Sequence, residues 1–146
     1  MRPYLYLILL LSTLASCINA ENIEYVFPKH YLDGHSAKVW VLEKSSLEND
    51  SALPYTKAYR KTFILYDNKT FIEQDFIHLG SQQGDYGRFW IVLDAAGNPF
   101  LRLNYVSKIK EEMHYYDILH IDKHTLILKN QENSVVWEFK SLTPPL

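Results

Sequence analysis

This chain predicts an all-β fold, a single small eight-stranded antiparallel up-and-down barrel with a short N-terminal helical turn, and three observations carry that expectation. Eight short runs rich in aromatic and β-branched residues follow one another with turn residues between them, spaced as a meander requires. Eleven tyrosines and seven phenylalanines among 146 residues favour strands, whose pleated surface accepts such side chains. Beyond its N-terminal apolar segment the chain keeps roughly 130 residues, the size of one domain able to bury one core without metals or staples.

The N-terminal segment has the anatomy of an export signal. Arg2 precedes an apolar stretch over residues 4–11, followed by small residues. It is too short to span a bilayer, which needs about 20 apolar residues. Leu14-Ala15-Ser16-Cys17 closes it with the one cysteine of the chain. These four residues resemble the lipobox of bacterial lipoproteins, in which the cysteine thiol takes a diacylglycerol and the signal is cut just before it. That resemblance implies a signal over residues 1–16, a tether over residues 17–22, a barrel domain over residues 23–146, and lipid attachment, palmitate included, at Cys17. It also implies a membrane anchor in the cell envelope, at the outer membrane or cell surface. An ordinary signal cut after Ala20 is the alternative, and would make the protein secreted or periplasmic.

With no second cysteine there is no disulfide to expect, although an exported compartment would permit one. Zinc sites of the cysteine type are excluded by the same count. The net charge is −2 and the basic residues are interspersed with acidic ones. Such a surface has no stripe of Lys and Arg to track a phosphate backbone, so nucleic acid is not expected as a partner.

Phe27-Pro28 leads into residues 29–33 and Gly34, where proline near the start and glycine past the end predict one or two helical turns that plug one end of the sheet. Residues 36–44 are the first strand, and residues 45–56, with Asn49-Asp50-Ser51 and Pro54, form a long polar loop. Strands at 58–66 and 70–78 flank the tight turn Asp67-Asn68-Lys69. Strands at 84–93 and 100–107 flank residues 94–99, strands at 112–121 and 125–129 flank Asp122-Lys123-His124, and the last strand covers 134–141. Closure of eight such strands removes exposed edges; a strongly bent, partly open sheet is the alternative.

Side chains two apart share a face of a strand. Phe89, Ile91 and Leu93 are therefore expected inside, opposite Arg88, Trp90 and Val92. Leu101, Leu103 and Tyr105 oppose Arg102 and Asn104; Leu126 and Leu128 oppose Thr125 and Lys129; Val135, Trp137 and Phe139 oppose Glu138 and Lys140. In the strand at 112–121 the same logic turns Met113, Tyr115, Leu119 and Ile121 inward, and Asp117 with them, opposite Glu112, His114 and His120. The two strands between 58 and 78 alternate poorly, and their faces stay open.

An inward Asp117 is costly unless hydrogen-bonded or wet. Either it joins the hydroxyls of Tyr105 and Tyr115 as the oriented polar groups of an apolar pocket, or it caps a backbone bend while the tyrosines are core. Tyr86, Arg88 and Trp90 offer an aromatic and basic strip for a protein or glycan, provided Trp90 faces outward; a register slip of one residue would reverse that. His114 and His120 lie about 20 Å apart at ~3.4 Å per residue, too far to share an ion, so no metal is expected. Gly80, Gly84 and Gly87 precede no helix start and read as bend glycines. Neither Gly-x-Ser-x-Gly nor His-Glu-x-x-His occurs, so no catalytic residue, cofactor or enzyme activity is expected.

The region from about residue 32 to 142 resembles bacterial lipocalin-like domains of surface lipoproteins. Lys38-Val39-Trp40-Val41-Leu42 is similar to the opening strand of that family. Tyr116-Asp117-Ile118-Leu119 with Thr125-Leu126-Ile127-Leu128 is similar to its late hairpin, and Val136-Trp137-Glu138-Phe139 to its closing strand. The chain departs from the family where Lys38 replaces the glycine two residues before the tryptophan. No arginine lies near the last strand to stack on Trp40, which leaves Lys129 or Lys140 to cover it. The resemblance implies a small apolar ligand inside the barrel; from the strand faces assigned above, an apolar or aromatic ligand there would be lined by Phe89, Leu103, Tyr105, Tyr115, Asp117 and Trp137. The alternative is a structural or interaction protein whose barrel is filled by its own side chains and which binds another envelope protein.

Overall fold

A computed structural model of the chain describes residues 27–142; the signal expected over residues 1–16, Cys17 and the tether expected over residues 17–22 lie outside the described residues. A four-residue helix α1 (His30–Asp33) precedes eight strands. They are β1 (Ala37–Ser45), β2 (Lys61–Tyr66), β3 (Thr70–Asp75), β4 (Asp85–Leu93), β5 (Pro99–Tyr105), β6 (Glu112–Ile121), β7 (Thr125–Asn130) and β8 (Val136–Ser141). Each pairs antiparallel with the next, and β8 pairs back onto β1, so the barrel is closed in sequence order.

The two ends are built differently. At one end short turns over residues 67–69, 94–98 and 122–124 join neighbouring strands. Their aspartates set them locally: Asp94 Oδ1 accepts from the backbone N–H of Ala96 (2.9 Å) and Asn98 (2.8 Å), and Asp122 Oδ1 from those of His124 and Thr125 (both 2.7 Å). At the other end, the mouth, longer connections run over residues 46–60, 76–84, 106–111 and 131–135.

α1 closes the short-turn end. Gly34 ends it by donating its N–H to the His30 carbonyl (3.0 Å) at φ 65°, where a Cβ would lie 2.8 Å from the Ala37 carbonyl oxygen. Leu32 is thereby seated in the core and its carbonyl accepts from Trp40 Nε1 at 2.8 Å. The cation over Trp40 is Lys38, 4.3 Å from the ring centroid, and neither Lys129 nor Lys140. Lys38 Nζ also donates to the carbonyls of Tyr31 (2.6 Å) and Lys123 (2.9 Å), tying the helix and the β6–β7 turn together. Lys38 takes this part because, two residues before Trp40 on the same strand face, its stem runs inside the barrel. Lys140 instead donates to Thr125 Oγ1 and pairs with Glu138.

Inside, aromatic rings form an unbroken chain. Tyr116 stacks on Trp137 (5.8 Å), Trp137 meets Phe139 (6.2 Å), Phe139 meets Phe63 (5.4 Å), Phe63 meets Phe71 (6.4 Å) and Phe71 meets Tyr105 (5.0 Å). Trp40, Leu42, Leu65, Phe89, Leu101, Leu103, Leu126 and Leu128 fill the space around them and are fully buried. β4 approaches β5 so closely that a Cβ on Gly87 would fall 1.8 Å from the Asn104 carbonyl oxygen, which explains a glycine in mid-strand.

Strand positions follow the sequence expectation with local differences. Residues 76–78 leave the ladder as a 3-10 turn, as do residues 57–59 before β2, so both strands are shorter than their apolar runs. The expected inward faces of β4, β5, β7 and β8 hold, with Phe89, Leu103, Leu128 and Phe139 at zero exposure. β2 buries Thr62, Phe63, Ile64 and Leu65 in succession, so both of its faces are covered and alternation is lost.

The inward set of β6 is corrected. Tyr116 and Ile118 are buried, His114 contacts the Tyr105 ring (5.1 Å), and Met113 and Leu119 are exposed. Tyr115 pairs with Arg102 and Asp117 with Phe100, which puts both on the outer face. The cause is a bulge: the β6–β7 register shifts between Ile118 and His120, so Leu119 is the extra residue and only Ile121 keeps its expected side. A second bulge, between Leu42 and Lys44, lies where β1 meets β8.

Candidate functional site: the barrel mouth

At the mouth the barrel interior changes from apolar to charged. Phe63 and Glu73 are direct partners across β2 and β3, and Lys61, one inward position further along β2, reaches Glu73 on the diagonal. Lys61 Nζ donates to Glu73 Oε1, and the Tyr105 hydroxyl donates to Glu73 Oε2. The Lys61 ammonium lies over Trp137 (5.2 Å) and Phe63 (5.8 Å), so one carboxylate and two ring faces hold it. Burial, with Glu73 next to it, raises the Tyr105 hydroxyl well above the ordinary tyrosine range, so it stays a donor.

A second cluster ties the β1–β2 loop to the barrel. Asp50 Oδ2 accepts from Trp137 Nε1 and from Ser45 Oγ, each at 2.6 Å, and Asp50 Oδ1 accepts from the Ala52 N–H at 2.9 Å. Burial alone would raise the Asp50 carboxyl, but the hydrogen bonds from Ser45, Trp137 and Ala52 outweigh it and hold the group below the usual range. On the far side Ser107 Oγ donates to Asp85 Oδ1 (3.2 Å) and accepts from the Tyr86 N–H (2.9 Å).

Between these clusters lies a hollow of about 460 Å³, walled by Ser51, Ala52, Tyr59, Lys61, Glu73, Gln74, Asp75, His78, Gln83, Gly84 and Asp85. Its rim is apolar. Leu47, Tyr55 and Tyr59 from the β1–β2 connection, Ile77 from the β3–β4 connection, and Val106 and Ile109 from the β5–β6 connection are exposed, with Tyr86 and Met113 on adjoining strand ends. Among the described residues, Leu119 and Leu142 are the exposed large apolar side chains elsewhere.

The residues singled out by sequence separate into two groups. Phe89, Leu103, Tyr105 and Trp137 are inside and buried. Tyr115 and Asp117 are outside: the Tyr115 ring meets Phe100 (6.2 Å), and Asp117 Oδ1 accepts from Gln131 Nε2 (2.7 Å). Trp90 faces outward as the alternation predicts, and Arg102 covers it at 4.4 Å. Tyr86 is exposed, and with Arg88 it borders a shallow apolar groove of about 400 Å³ on β3 and β4 that also includes Ile72 and Val106. Among the described residues no group of three or more His, Cys, Asp and Glu is arranged to hold a metal ion.

Sequence reasoning missed Lys61, Glu73, Asp75 and Asp85. Hairpin arithmetic could have found the first two: a three-residue turn at 67–69 sets Phe63 opposite Glu73 and brings Lys61 within diagonal reach. No family model, no curated protein and no solved structure matches the chain. Fold and site together define a closed eight-stranded barrel with aromatic rings in its core, a carboxylate-bearing mouth, and exposed apolar side chains on the connections at that end.

Proposed function

We propose that this protein is a non-enzymatic, lipid-anchored module of the cell envelope that binds another envelope protein through the mouth of a self-filled barrel. The observation that carries the reading is the gathering of exposed large apolar side chains at one end, from Leu47 and Tyr55 to Ile109. Scattered singly such residues need no explanation, but clustered around one opening they form a surface of the kind partners cover. The mutual contact of the Trp137, Phe139 and Phe63 rings inside the barrel supports an interior filled by the protein's own side chains. Two of the six residues expected to line that ligand, Tyr115 and Asp117, face out of the barrel.

The test is photo-crosslinking in the producing cell from full-length chains carrying a photoreactive residue at Tyr55, Ile109 or Leu119. A discrete protein adduct from the two mouth positions and none from Leu119 is expected. Equal labelling at all three, or none at the mouth, overturns the proposal. Anchoring is read separately. Cys17→Ser is expected to move the protein from the membrane to the soluble fraction; an unchanged membrane fraction in the variant refutes lipidation at Cys17.

A further inference from the structure

We infer that the closed end of the barrel is the face that meets an anionic lipid surface, and that acid strengthens the contact; the inference rests on the lipid anchoring proposed above. The chain enters the fold at this end. Phe27 is buried in the core, α1 follows it directly, and Cys17 stands ten residues upstream of that fixed point. An extended chain covers at most about 3.6 Å per residue, so an acyl group at Cys17 keeps Phe27 within about 36 Å of the membrane. The mouth is on the far side of the barrel from this attachment.

Charge also distinguishes the two ends. Four of the six histidines are exposed at the closed end: His30 and His35 around α1, and His120 and His124 around the β6–β7 turn. The lysines of this end, Lys29, Lys38, Lys69 and Lys123, are matched in number by Asp33, Asp67, Asp94 and Asp122. Histidine protonation therefore sets the sign of the surface, because histidine is the side chain that gains charge between about pH 8 and 5. At the mouth, by contrast, Glu73, Asp75 and Asp85 face Lys61 and Lys108.

The carboxylates of the closed end are mostly turned away from solvent. Asp33 is 1% exposed, with Lys29 Nζ at 3.6 Å, and Asp94 and Asp122 each hold backbone N–H groups of their own turns. His30 and His35 stack on each other at 5.3 Å, the Tyr31 ring meets His30 at 4.9 Å, and Lys29, Asp33 and Asp67 share their hollow. His120 Nε2 lies 3.0 Å from Asp122 Oδ2; among the described residues it is the one of the four with a carboxylate in ion-pairing distance. His124 neighbours Asp122 and Lys123; Lys38 reaches the Lys123 carbonyl from β1, and Lys140 on β8 reaches Thr125 and pairs with Glu138. Two charged imidazoles stacked as His30 and His35 are repel each other, and a headgroup phosphate beside them relieves that repulsion. Anionic headgroups attract such clustered positive charge over about a Debye length, so the contact weakens in salt.

The experiment places the mature lipidated chain, purified from membranes of the producing cell, in vesicles of phosphatidylcholine alone or mixed equally with phosphatidylglycerol. A fluorophore is attached at Ala95→Cys in the β4–β5 turn or at Asn49→Cys in a mouth loop, and nitroxide on the lipid headgroups quenches it. On the anionic vesicles at about pH 5, quenching at position 95 should exceed that at position 49 at least twofold, and should fall at about pH 8, in high salt and on phosphatidylcholine alone. The quadruple variant His30→Gln, His35→Gln, His120→Gln, His124→Gln should lose the pH step. Equal quenching at the two positions, indifference to anionic lipid, or a pH step that survives in the variant overturns the inference. Flotation separates it from the anchoring reading: protein that floats with its closed end unquenched leaves the anchor standing, whereas protein that does not float removes the anchor and the inference together.

Discussion

Asp50 joins three parts of the mouth with one carboxylate: the end of β1 through Ser45, the loop through the Ala52 N–H, and the core through Trp137 Nε1. Asparagine offers one acceptor oxygen where aspartate offers two, so its NH2 group faces either the Ala52 N–H or the indole N–H of Trp137, a residue only 9% exposed, and one of these donors loses its acceptor. Asp50→Asn is expected to cost about 1–3 kcal/mol at pH 7, the range for disrupting a charge-assisted buried hydrogen bond. The pH dependence follows from the lowered carboxyl. Because the folded group releases its proton more readily than a free aspartate carboxyl, whose ordinary value is 3.8, its stabilisation is complete above that pH and is lost as pH falls through the folded value. Urea unfolding at pH 7 and near pH 3 should show the gap between wild type and variant narrowing in acid. A gap independent of pH would show that Asp50 contributes through packing alone. Lys38 makes the same point about single residues: its stem carries an ammonium to Trp40 and to two backbone carbonyls.

Among the elements, β6 is where sequence pattern and structure part. From Met113 to Leu119 a strict alternation predicts the wrong inward set, and the single extra residue at Leu119 accounts for it. Strand periodicity is exactly two only while the ladder is regular, so one bulge shifts everything on one side of it by a face. Deleting Leu119 is therefore expected to leave Tyr116, Ile118 and Ile121 pointing inward and the barrel folded, with a loss within about 2 kcal/mol. Deleting Arg102 from the unbulged β5 would instead put Leu103 or Leu101 on the wrong face, and no cooperative unfolding transition is expected. Circular dichroism and urea titration of the two deletions decide; similar behaviour of both would show that the bulge does not set the phase of β6. β2 was illegible for a different reason, since a strand covered on both faces offers no alternation to read.

At the scale of the whole molecule, stability rests on one closed core whose rings touch in series. Phe139, at zero exposure, is the link between Trp137 and Phe63. Phe139→Ala is expected to cost about 3–5 kcal/mol, because the barrel walls are hydrogen-bonded around the gap and cannot collapse into it. The space left should be dry and apolar, able to admit xenon or benzene, whereas the wild type should admit neither. Xenon NMR on the two proteins checks this, and uptake by the wild type would mean that the interior is not filled. The same closure brings the mouth residues together. Lys61, Glu73, Tyr105, Trp137 and Asp50 come from five separate segments, and their meeting depends on every register around the barrel.

By itself the sequence determined the number and order of the strands, the tight turns at Asp94 and Asp122, and the inward faces of β4, β5, β7 and β8. All of these are local: a turn residue bonds to backbone within a few positions, and alternation needs only the strand that carries it. The tertiary structure alone decided the phase of β6, the burial of both faces of β2, the seat of Lys38 over Trp40 and the charged floor of the mouth. Those depend on bulges, on register summed across several hairpins and on what covers the outer face, and each is a distance between segments that no single window of sequence contains.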